Sequence, residues 1–389
     1  MIETIKNNQY KDSLKEDDYF FFNSQTKLGE GTKSSPVQIM MTSKSLMKNC
    51  NYLNDGVLQI DGTYRLTKNN YPWIICGVVD RQGKLHPIAF MISNQETILE
   101  FKALLTGIIN LAYKLDINCD PDFIMMDSSD ATHNAVSEIF PNATILMCYF
   151  HVMKNIKKYC QKPLTNSQYE SLLVDIRYLH LRKTKEEFEK GLTVFKKKWN
   201  TNSTHSIYEY CSTWFKGKWS KWQIFHSPPG WSSTNSNIES FNATIKRDFS
   251  LRRRYTVFGS VNVIKDIITY YSTNKEEFCC YPRFNQKTHE RGKHYMAAKY
   301  KKNGVFQVSV MDKYIINIQN RKCSCRWFLK NAVCEHILGY CYKTKYDQEC
   351  WFGPKYTGEP TNFAFNVKRG AKTKKIGRYK YSEKALDPY

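Results

Sequence analysis

The 389-residue sequence lacks any long apolar run, which argues against a membrane-spanning helix. No stretch approaches the roughly 18 consecutive apolar residues that such a helix needs. The N-terminal segment MIETIKNNQYKDS also lacks the apolar core of a secretory signal peptide. We therefore expect a protein inside a cell that does not associate with membranes. The sequence has no internal repeats.

Acidic residues are scarce and unevenly placed. The chain has 36 Asp and Glu against 58 Lys and Arg, a net charge of +22. Residues 51–150 contain 11 acidic and 6 basic residues, whereas residues 240–389 contain 12 acidic and 30 basic ones. Basic surface of this size favours a polyanionic partner, most often nucleic acid. A merely soluble, lysine-rich surface is the alternative, but it does not explain why the carboxylates concentrate in one segment.

The hydrophobic pattern sharpens from Val57 onward. Three strands are predicted in VLQIDGTYRL, YPWIICGVVD and LHPIAFMIS. A helix follows in ETILEFKALLTGIINLAYKL, then a buried strand in DFIMMD, a short helix over 131–140 and a strand in ATILMCYF. The order βββαβαβ predicts an α/β fold with a mixed sheet and helices packed on it.

The rest of the chain changes character several times. Residues from 151 to about 225 are basic, tryptophan-rich and helical in pattern, which predicts an all-helical insertion. Its tryptophans fit core packing better than base stacking. We divide the chain into an N-terminal leader (1–50), a core (51–150), an insertion (151–232), a last core helix (233–275), a linker (276–300), a zinc finger (301–350) and a basic tail (351–389).

The segment KCSCRWFLKNAVCEH holds three cysteines and a histidine that could form a disulfide, a redox site or a metal site. Thirteen cysteines, an odd number, in a reducing compartment favour metal or free thiols. A Cys₃His set suits structural zinc. One ligand pair lies after a predicted strand and the other where a predicted helix begins, so we assign a closed zinc site to Cys323, Cys325, Cys334 and His336.

Two aspartates end otherwise apolar strands, Asp61 after VLQI and Asp127 after FIMM. If the two strands are neighbours, both side chains could meet, and a helix beginning near Asn235 could bring Glu239 to them. Three carboxylates are hard ligands suited to Mg²⁺ or Mn²⁺. On spacing alone the alternatives stay open: a turn-forming Asp61, an Asp127 that caps a helix, and an ordinary surface Glu239.

Four segments resemble the motifs of Mutator-like element (MULE) transposases. IDGTYRLT resembles the first catalytic motif, MMDSSDATHNAV the second, ILMCYFHVMKNI the C-x-x-H motif and TNSNIESFNATIK the third. Cys-x-Cys-x₈-Cys-x-His resembles the SWIM-type zinc finger, which often follows such a transposase core. The motifs occur in the family's order, with a helical insertion between the second and third.

The resemblance implies a ribonuclease-H-like core and a DDE active site at Asp61, Asp127 and Glu239, holding two Mg²⁺ or Mn²⁺ ions. It implies double-stranded DNA as the partner, both transposon ends and target, a homo-oligomer on DNA and a nuclear location. Cys148 and His151 match the C-x-x-H pair, with a structural or DNA-contacting role.

Basic residues outside these motifs are candidate DNA contacts. They are Arg252, Arg253 and Arg254, shortly after the third motif, and Lys368, Arg369, Lys374 and Lys375 in the tail. The tail could equally be a solvated extension.

The sequence departs from the family in one respect. Relatives usually carry a separate sequence-reading zinc domain before the core, and the fifty residues that precede the core here hold no Cys/His cluster. A domesticated, non-enzymatic DNA-binding transcriptional regulator is therefore the alternative function. A protein-interaction finger on a decayed core is a third possibility.

Overall fold

The computed structural model describes residues 1–26, 37–282, 286–296, 300–302, 307–310, 314–317, 320 and 322–344. The strands are β1 Tyr19–Phe21, β2 Gln25–Thr26, β3 Val37–Ser43, β4 Val57–Thr63, β5 Trp73–Val79, β6 Leu85–Ser93, β7 Phe123–Met126, β8 Thr144–Met147, β9 Tyr300–Lys302, β10 Gln307–Val310, β11 Tyr314–Asn317 and β12 Lys322–Cys323. The helices are α1 Ile2–Asn7, α2 Lys44–Met47, α3 Ile98–Lys114, α4 Asp130–Ile139, α5 Tyr149–Cys160, α6 Asn166–His180, α7 Lys185–Trp199, α8 His205–Ser212, α9 Ser236–Thr244, α10 Val257–Thr273, α11 Gln286–Met296, α12 Arg326–Asn331 and α13 Glu335–Thr344.

An eight-stranded mixed sheet organises the chain. Its order is β1-β3-β6-β5-β4-β7-β8, with β2 paired to β3. The pairs β4–β7 and β7–β8 are parallel, and the other pairs are antiparallel. From β4 to β8 the elements follow the order βββαβαβ that the hydrophobic pattern predicts. The mixed α/β class is therefore confirmed.

Apolar layers cover both faces of this sheet. On one face α3 and α4 pack through residues such as Phe101, Leu104 and Val136. On the other face α9 and α10 pack through residues such as Ile238 and Ile264. Strands buried on both faces read as continuous apolar runs rather than as alternating patterns, and every residue of β5 and β6 is buried.

The N-terminal segment differs from the expectation of an irregular leader. Its strands β1 and β3 extend the sheet, and β3 pairs with β6 from Gln38↔Ser93 to Met41↔Phe90. All seven residues of β3 are buried although the strand includes Gln38, Thr42 and Ser43. Because of these polar residues, β3 shows no apolar pattern in the sequence. They can be buried because partners distant in sequence satisfy them: the hydroxyl of Thr42 donates to the carbonyl of Ile88 at 2.6 Å.

The insertion is helical, as its pattern predicts. Helices α5 to α8 enclose an apolar core of their own, which includes Trp199, Trp214 and Trp222. Each of these three tryptophans is more than nine-tenths buried, so they pack in the interior of the insertion, as expected. Among the described residues, no helix is long and apolar enough to cross a membrane.

The C-terminal part holds a small antiparallel sheet, in the order β12-β11-β10-β9, with α11, α12 and α13. The predicted linker over 276–300 contains the helix α11. Its sequence QKTHERGKHYM has little apolar content. Helix α11 lies against α13, where Gly292 permits a close approach: a Cβ there would lie 2.6 Å from the Cβ of Leu338.

Candidate catalytic and zinc sites

Asp61 lies in β4, and Asp127 directly follows β7, the parallel neighbour of β4. The two residues occupy equivalent positions along these strands. The register pairs Gln59 of β4 with Met125 of β7, and each aspartate lies two residues beyond its member of that pair. Because residues two apart on a strand share a face, the two carboxylates project from one side of the sheet. Asp127 also receives a hydrogen bond at Oδ1 from the backbone N–H of Ser129, at 3.2 Å.

Two amide side chains hold α9 against this part of the sheet. The buried Gln59 accepts at Oε1 from the N–H of Ile238, at 3.0 Å, and donates from Nε2 to the carbonyl of Thr234, at 3.3 Å. Asn242, one turn further along the helix, donates from Nδ2 to Oδ2 of Asp61, at 2.8 Å. These hydrogen bonds hold α9, the helix that includes Glu239, against β4 near Asp61. Gln59 is not among the residues predicted from the sequence, because a glutamine within an apolar strand gives no signal of its distant partner.

The carboxylates influence one another electrostatically. Burial raises the pKa of Asp61 to about 7, and the charges of Asp127, Glu239 and Glu96 add to the shift. The three carboxylates named for the triad therefore lie within electrostatic reach of one another. Concentrated negative charge of this kind is relieved when a cation binds.

Glu96 is the fourth carboxylate, and it precedes the N-cap of α3 without taking part in the cap. The box that caps α3 is made by Thr97 and Glu100 instead. The Glu96 carboxylate accepts a hydrogen bond from the hydroxyl of Tyr64. It also lies over Gly62, where a Cβ would approach its Oε1 to 1.9 Å. The glycine after Asp61 thus makes room for Glu96.

Cys148 and His151 join the insertion to the loop before α9. Cys148 is buried at the N-terminus of α5, and its sulfur accepts from the N–H of Asn235 at 3.4 Å. One turn along α5, His151 places Nε2 3.7 Å from Oε1 of Glu239. The C-x-x-H spacing thus lets Cys148 contact the loop before α9 and His151 lie beside Glu239.

The carboxylates of Asp61, Asp127 and Glu239 are ligands of the kind that divalent cations prefer, but they are spaced more widely than the zinc ligands. Carboxylate oxygens are the ligands that Mg²⁺ and Mn²⁺ prefer. Oδ1 of Asn242, whose Nδ2 binds Asp61, is buried without a hydrogen-bond partner in the structure. Within the described part of the chain, however, the single group of three or more His, Cys, Asp or Glu side chains close enough to hold an ion is the C-terminal Cys₃His set. The acidic side chains are brought to one edge but are not drawn into so tight a group.

The Cys₃His set has the geometry of a zinc site. The ligand atoms of Cys323, Cys325, Cys334 and His336 all lie within 4.8 Å of one another, and all four residues are buried. The sulfur of Cys325 also accepts from the N–H of Phe328 at 3.3 Å, the kind of outer hydrogen bond that orients a ligand. The cluster is therefore compatible with the zinc binding predicted from the spacing.

The candidate DNA-contacting arginines lie on the surface. Arg252, Arg253 and Arg254 are exposed in the turn after the π-helical segment Ile245–Phe249 that continues α9. Arg254 donates to Asn70 at 3.3 Å, and the backbone φ of Arg252 is +59°. The tail residues Lys368, Arg369, Lys374 and Lys375 lie outside the described residues.

Comparison with known proteins supports the motif resemblance. Residues 57–155 match the family model of the MULE transposase domain. The matched segment contains two of the acidic residues and the C-x-x-H pair, and it ends before Glu239 and the zinc cluster. The resemblance to the MULE transposase domain is thereby confirmed for this segment. The comparison with curated proteins found no match.

The raised pKa of Asp61 leads to a prediction for the metal-free protein. Asp61 has a folded pKa of about 7 against an ordinary 3.8, so its contribution to stability is complete below 3.8 and is lost as the pH rises through 7. Three pKa units correspond to about 4 kcal/mol as an upper bound. In EDTA, Asp61→Asn should therefore raise the melting temperature, by a margin that grows from pH 4 to pH 7.

Thermal unfolding in EDTA and in Mn²⁺ tests this expectation. Mn²⁺ should stabilise the wild type at pH 8, because an ion that binds only the folded state adds to its stability, and it should have little effect on Asp61→Asn. The matched control is Asp130→Asn, which removes an exposed carboxylate paired with Lys218. An increase in melting temperature that is the same for both variants, or that does not depend on pH, would contradict the raised pKa of Asp61.

Proposed function

We propose that the protein is a DDE-type DNA transposase of the MULE group, with Asp61, Asp127 and Glu239 as its catalytic carboxylates. The proposal is supported by the arrangement of the elements that carry them. Asp61 and Asp127 follow paired residues of neighbouring parallel strands, and Gln59 and Asn242 hold the helix that carries Glu239 against β4. The strand order β6-β5-β4-β7-β8 supports a ribonuclease-H-like core.

The proposed site would hold two Mg²⁺ or Mn²⁺ ions through these three residues. When bound, such a pair activates a water or a 3′-hydroxyl and stabilises the leaving oxygen of a phosphodiester. The protein's own contribution is positioning. Asn242 would fix the carboxylate of Asp61 by a hydrogen bond, and His151 lies 3.7 Å from that of Glu239. The reaction would be hydrolysis at transposon ends, followed by attack of the freed 3′-hydroxyl on target DNA.

The remaining proposals follow from this function. Zinc would be structural, because the Cys₃His set leaves no open position for a substrate. The basic half of the chain would neutralise phosphates, so DNA affinity should fall steeply with salt. Action at two DNA ends would be served by a homo-oligomer on DNA, and a chromosomal substrate places the protein in the nucleus.

A DNA-binding regulator descended from a transposase is the second candidate. It is favoured by the looser spacing of the carboxylates, which do not form a group as close as the Cys₃His set. Its surface would bind DNA as the enzyme does, but no bond would be cut.

A cleavage assay with the full-length protein separates the two functions. The substrate is a duplex that carries inverted repeats taken from the DNA that flanks the coding region, incubated with Mg²⁺, with Mn²⁺ or without added divalent cations. Transposase activity predicts nicking and strand joining in either metal and none without it. Tight binding to the same duplex without nicking in Mn²⁺ would replace the enzyme with the regulator.

A further inference from the structure

A cavity of about 790 Å³ opens beside the N-terminal end of α9. Four parts of the chain form its walls. The β5–β6 turn contributes Arg81, the insertion contributes Arg177 and His180, the loop before α9 contributes Trp231, and α12 contributes Lys330. The volume is ample for a phosphate group together with its neighbouring sugar. The cavity is thus a place where the core, the insertion and the finger meet.

Three cations line the cavity, namely Arg81, Arg177 and Lys330. None of Arg81, Arg177 and Lys330 forms an ion pair with a carboxylate of the described chain. Half-buried Arg81 lies over the ring of the buried Trp231, with its guanidinium carbon 5.8 Å from the ring centroid. A desolvated cation is costly unless an anion accompanies it, so the half-buried Arg81 favours an anionic ligand. The exposed Arg177 and Lys330 add positive charge at the same cavity.

Asp80 is the acidic residue in the lining, and its carboxylate is already occupied. Oδ1 accepts from the N–H groups of Gln82 and Lys84, each at 2.9 Å. Oδ2 accepts from the N–H of Cys279 at 3.3 Å and contacts Nε2 of His86 at 3.2 Å. The carboxylate of Asp80 is thus engaged by three backbone N–H groups and His86, and it forms no salt bridge with Arg81, Arg177 or Lys330.

The cavity adjoins the proposed catalytic edge. Thr234 lines it, and the Thr234 carbonyl is held by Gln59, two residues before Asp61 on β4. Asn237 also lines it, two residues before Glu239 on α9, and donates to the carbonyl of Gly83 at 2.6 Å. A polyanion that passes the acidic residues can therefore continue into the cavity.

We propose that this cavity binds the phosphodiester backbone of the DNA strand presented to the acidic site, with Arg81, Arg177 and Lys330 as its phosphate contacts. The inference rests on the proposed function, since it names a substrate contact next to the same site. It also gives the finger a direct part in DNA binding, because Lys330 lies on α12, between the two pairs of zinc ligands. A free phosphate or a mononucleotide would use the same chemistry, and the experiment distinguishes them.

The test measures the salt dependence of DNA binding by the zinc-loaded, full-length protein. Fluorescence anisotropy of a labelled duplex in EDTA-free buffer without divalent cations avoids both cleavage and zinc loss. Lys330→Gln should reduce the slope of log K against log salt by about 0.9, the value for one phosphate contact, and Arg177→Gln with Lys330→Gln by about twice that. The matched control, Lys114→Gln, removes an exposed cation from the end of α3 and should leave the slope unchanged.

Both variants replace exposed side chains, and unchanged melting curves will verify folding. A slope equal to that of Lys114→Gln would overturn the proposal. So would saturable binding of inorganic phosphate that Lys330→Gln abolishes while duplex binding is unaffected. Because no cleavage is measured, the result is independent of catalysis: a reduced slope in a protein that never nicks DNA keeps the cavity and rejects the transposase. Normal nicking with an unreduced slope would keep the transposase and reject the phosphate contacts in the cavity.

Discussion

Asp127→Asn is expected to reduce DNA cleavage by about 10³-fold and to leave DNA binding unchanged. The proposed site needs the negative charge of Asp127 for its cations, and a loss of about 4 kcal/mol of transition-state stabilisation corresponds to that factor. Folding should be retained. The amide keeps an oxygen that can accept the 3.2 Å hydrogen bond from Ser129, and the side chain keeps its size.

Asp130→Asn is the matched control for this variant. It makes the same chemical change three residues away, at an exposed side chain whose salt bridge with Lys218 contributes no more than about 1 kcal/mol to stability. Nicking should therefore proceed at the wild-type rate. Rates of nicking in Mn²⁺ and duplex affinities, measured for wild type and both variants, decide the matter. Equal loss in the two variants, or wild-type nicking by Asp127→Asn, would remove Asp127 from the mechanism.

The sequence predicts those parts of the fold that carry a regular apolar pattern. The helix around Leu104 follows from residue spacing, because its apolar residues recur with the period of a helix, and the strands around Leu58 and Ile124 follow from short apolar runs. Strand β3 escapes this reasoning, since its polar members are buried against distant partners. Helix α11 escapes it too, because contact with α13 supports a helix that its own polar sequence does not indicate.

The zinc cluster could be predicted from the sequence, whereas the contacts that hold the acidic residues could not. The zinc cluster is predictable because its ligands are close in sequence and of one chemical kind, and the structure brings all four together. The acidic residues were found through motif resemblance, and their roles stay predictions. What holds them was not predictable: Gln59 reaches Ile238 across 179 positions of the chain and Asn242 reaches Asp61 across 181. A single sequence does not encode such pairings in any local pattern.

Loss of one zinc ligand is expected to unfold the finger as a unit. Its apolar cluster is small and includes the cysteines themselves, together with residues such as Phe328 and Leu338. A module with so little core depends on its metal, which can contribute on the order of 10 kcal/mol of folding free energy. Cys334→Ser should therefore abolish zinc binding and expose 322–344 to limited proteolysis, while the melting of the core sheet persists.

The consequence should extend beyond the finger, because α12 rests on the loop that precedes α9. The N–H of Gly230 donates to the carbonyl of Leu329 at 3.3 Å, and a Cβ at Gly230 would lie 2.5 Å from that of Ala332. Unfolding would withdraw this contact, and DNA affinity should fall with the zinc content. The control is Cys341→Ser, a buried cysteine of α13 outside the ligand set, which should retain about one zinc per chain. A metal-free Cys334→Ser protein with a protease-resistant finger would show that packing alone holds this module.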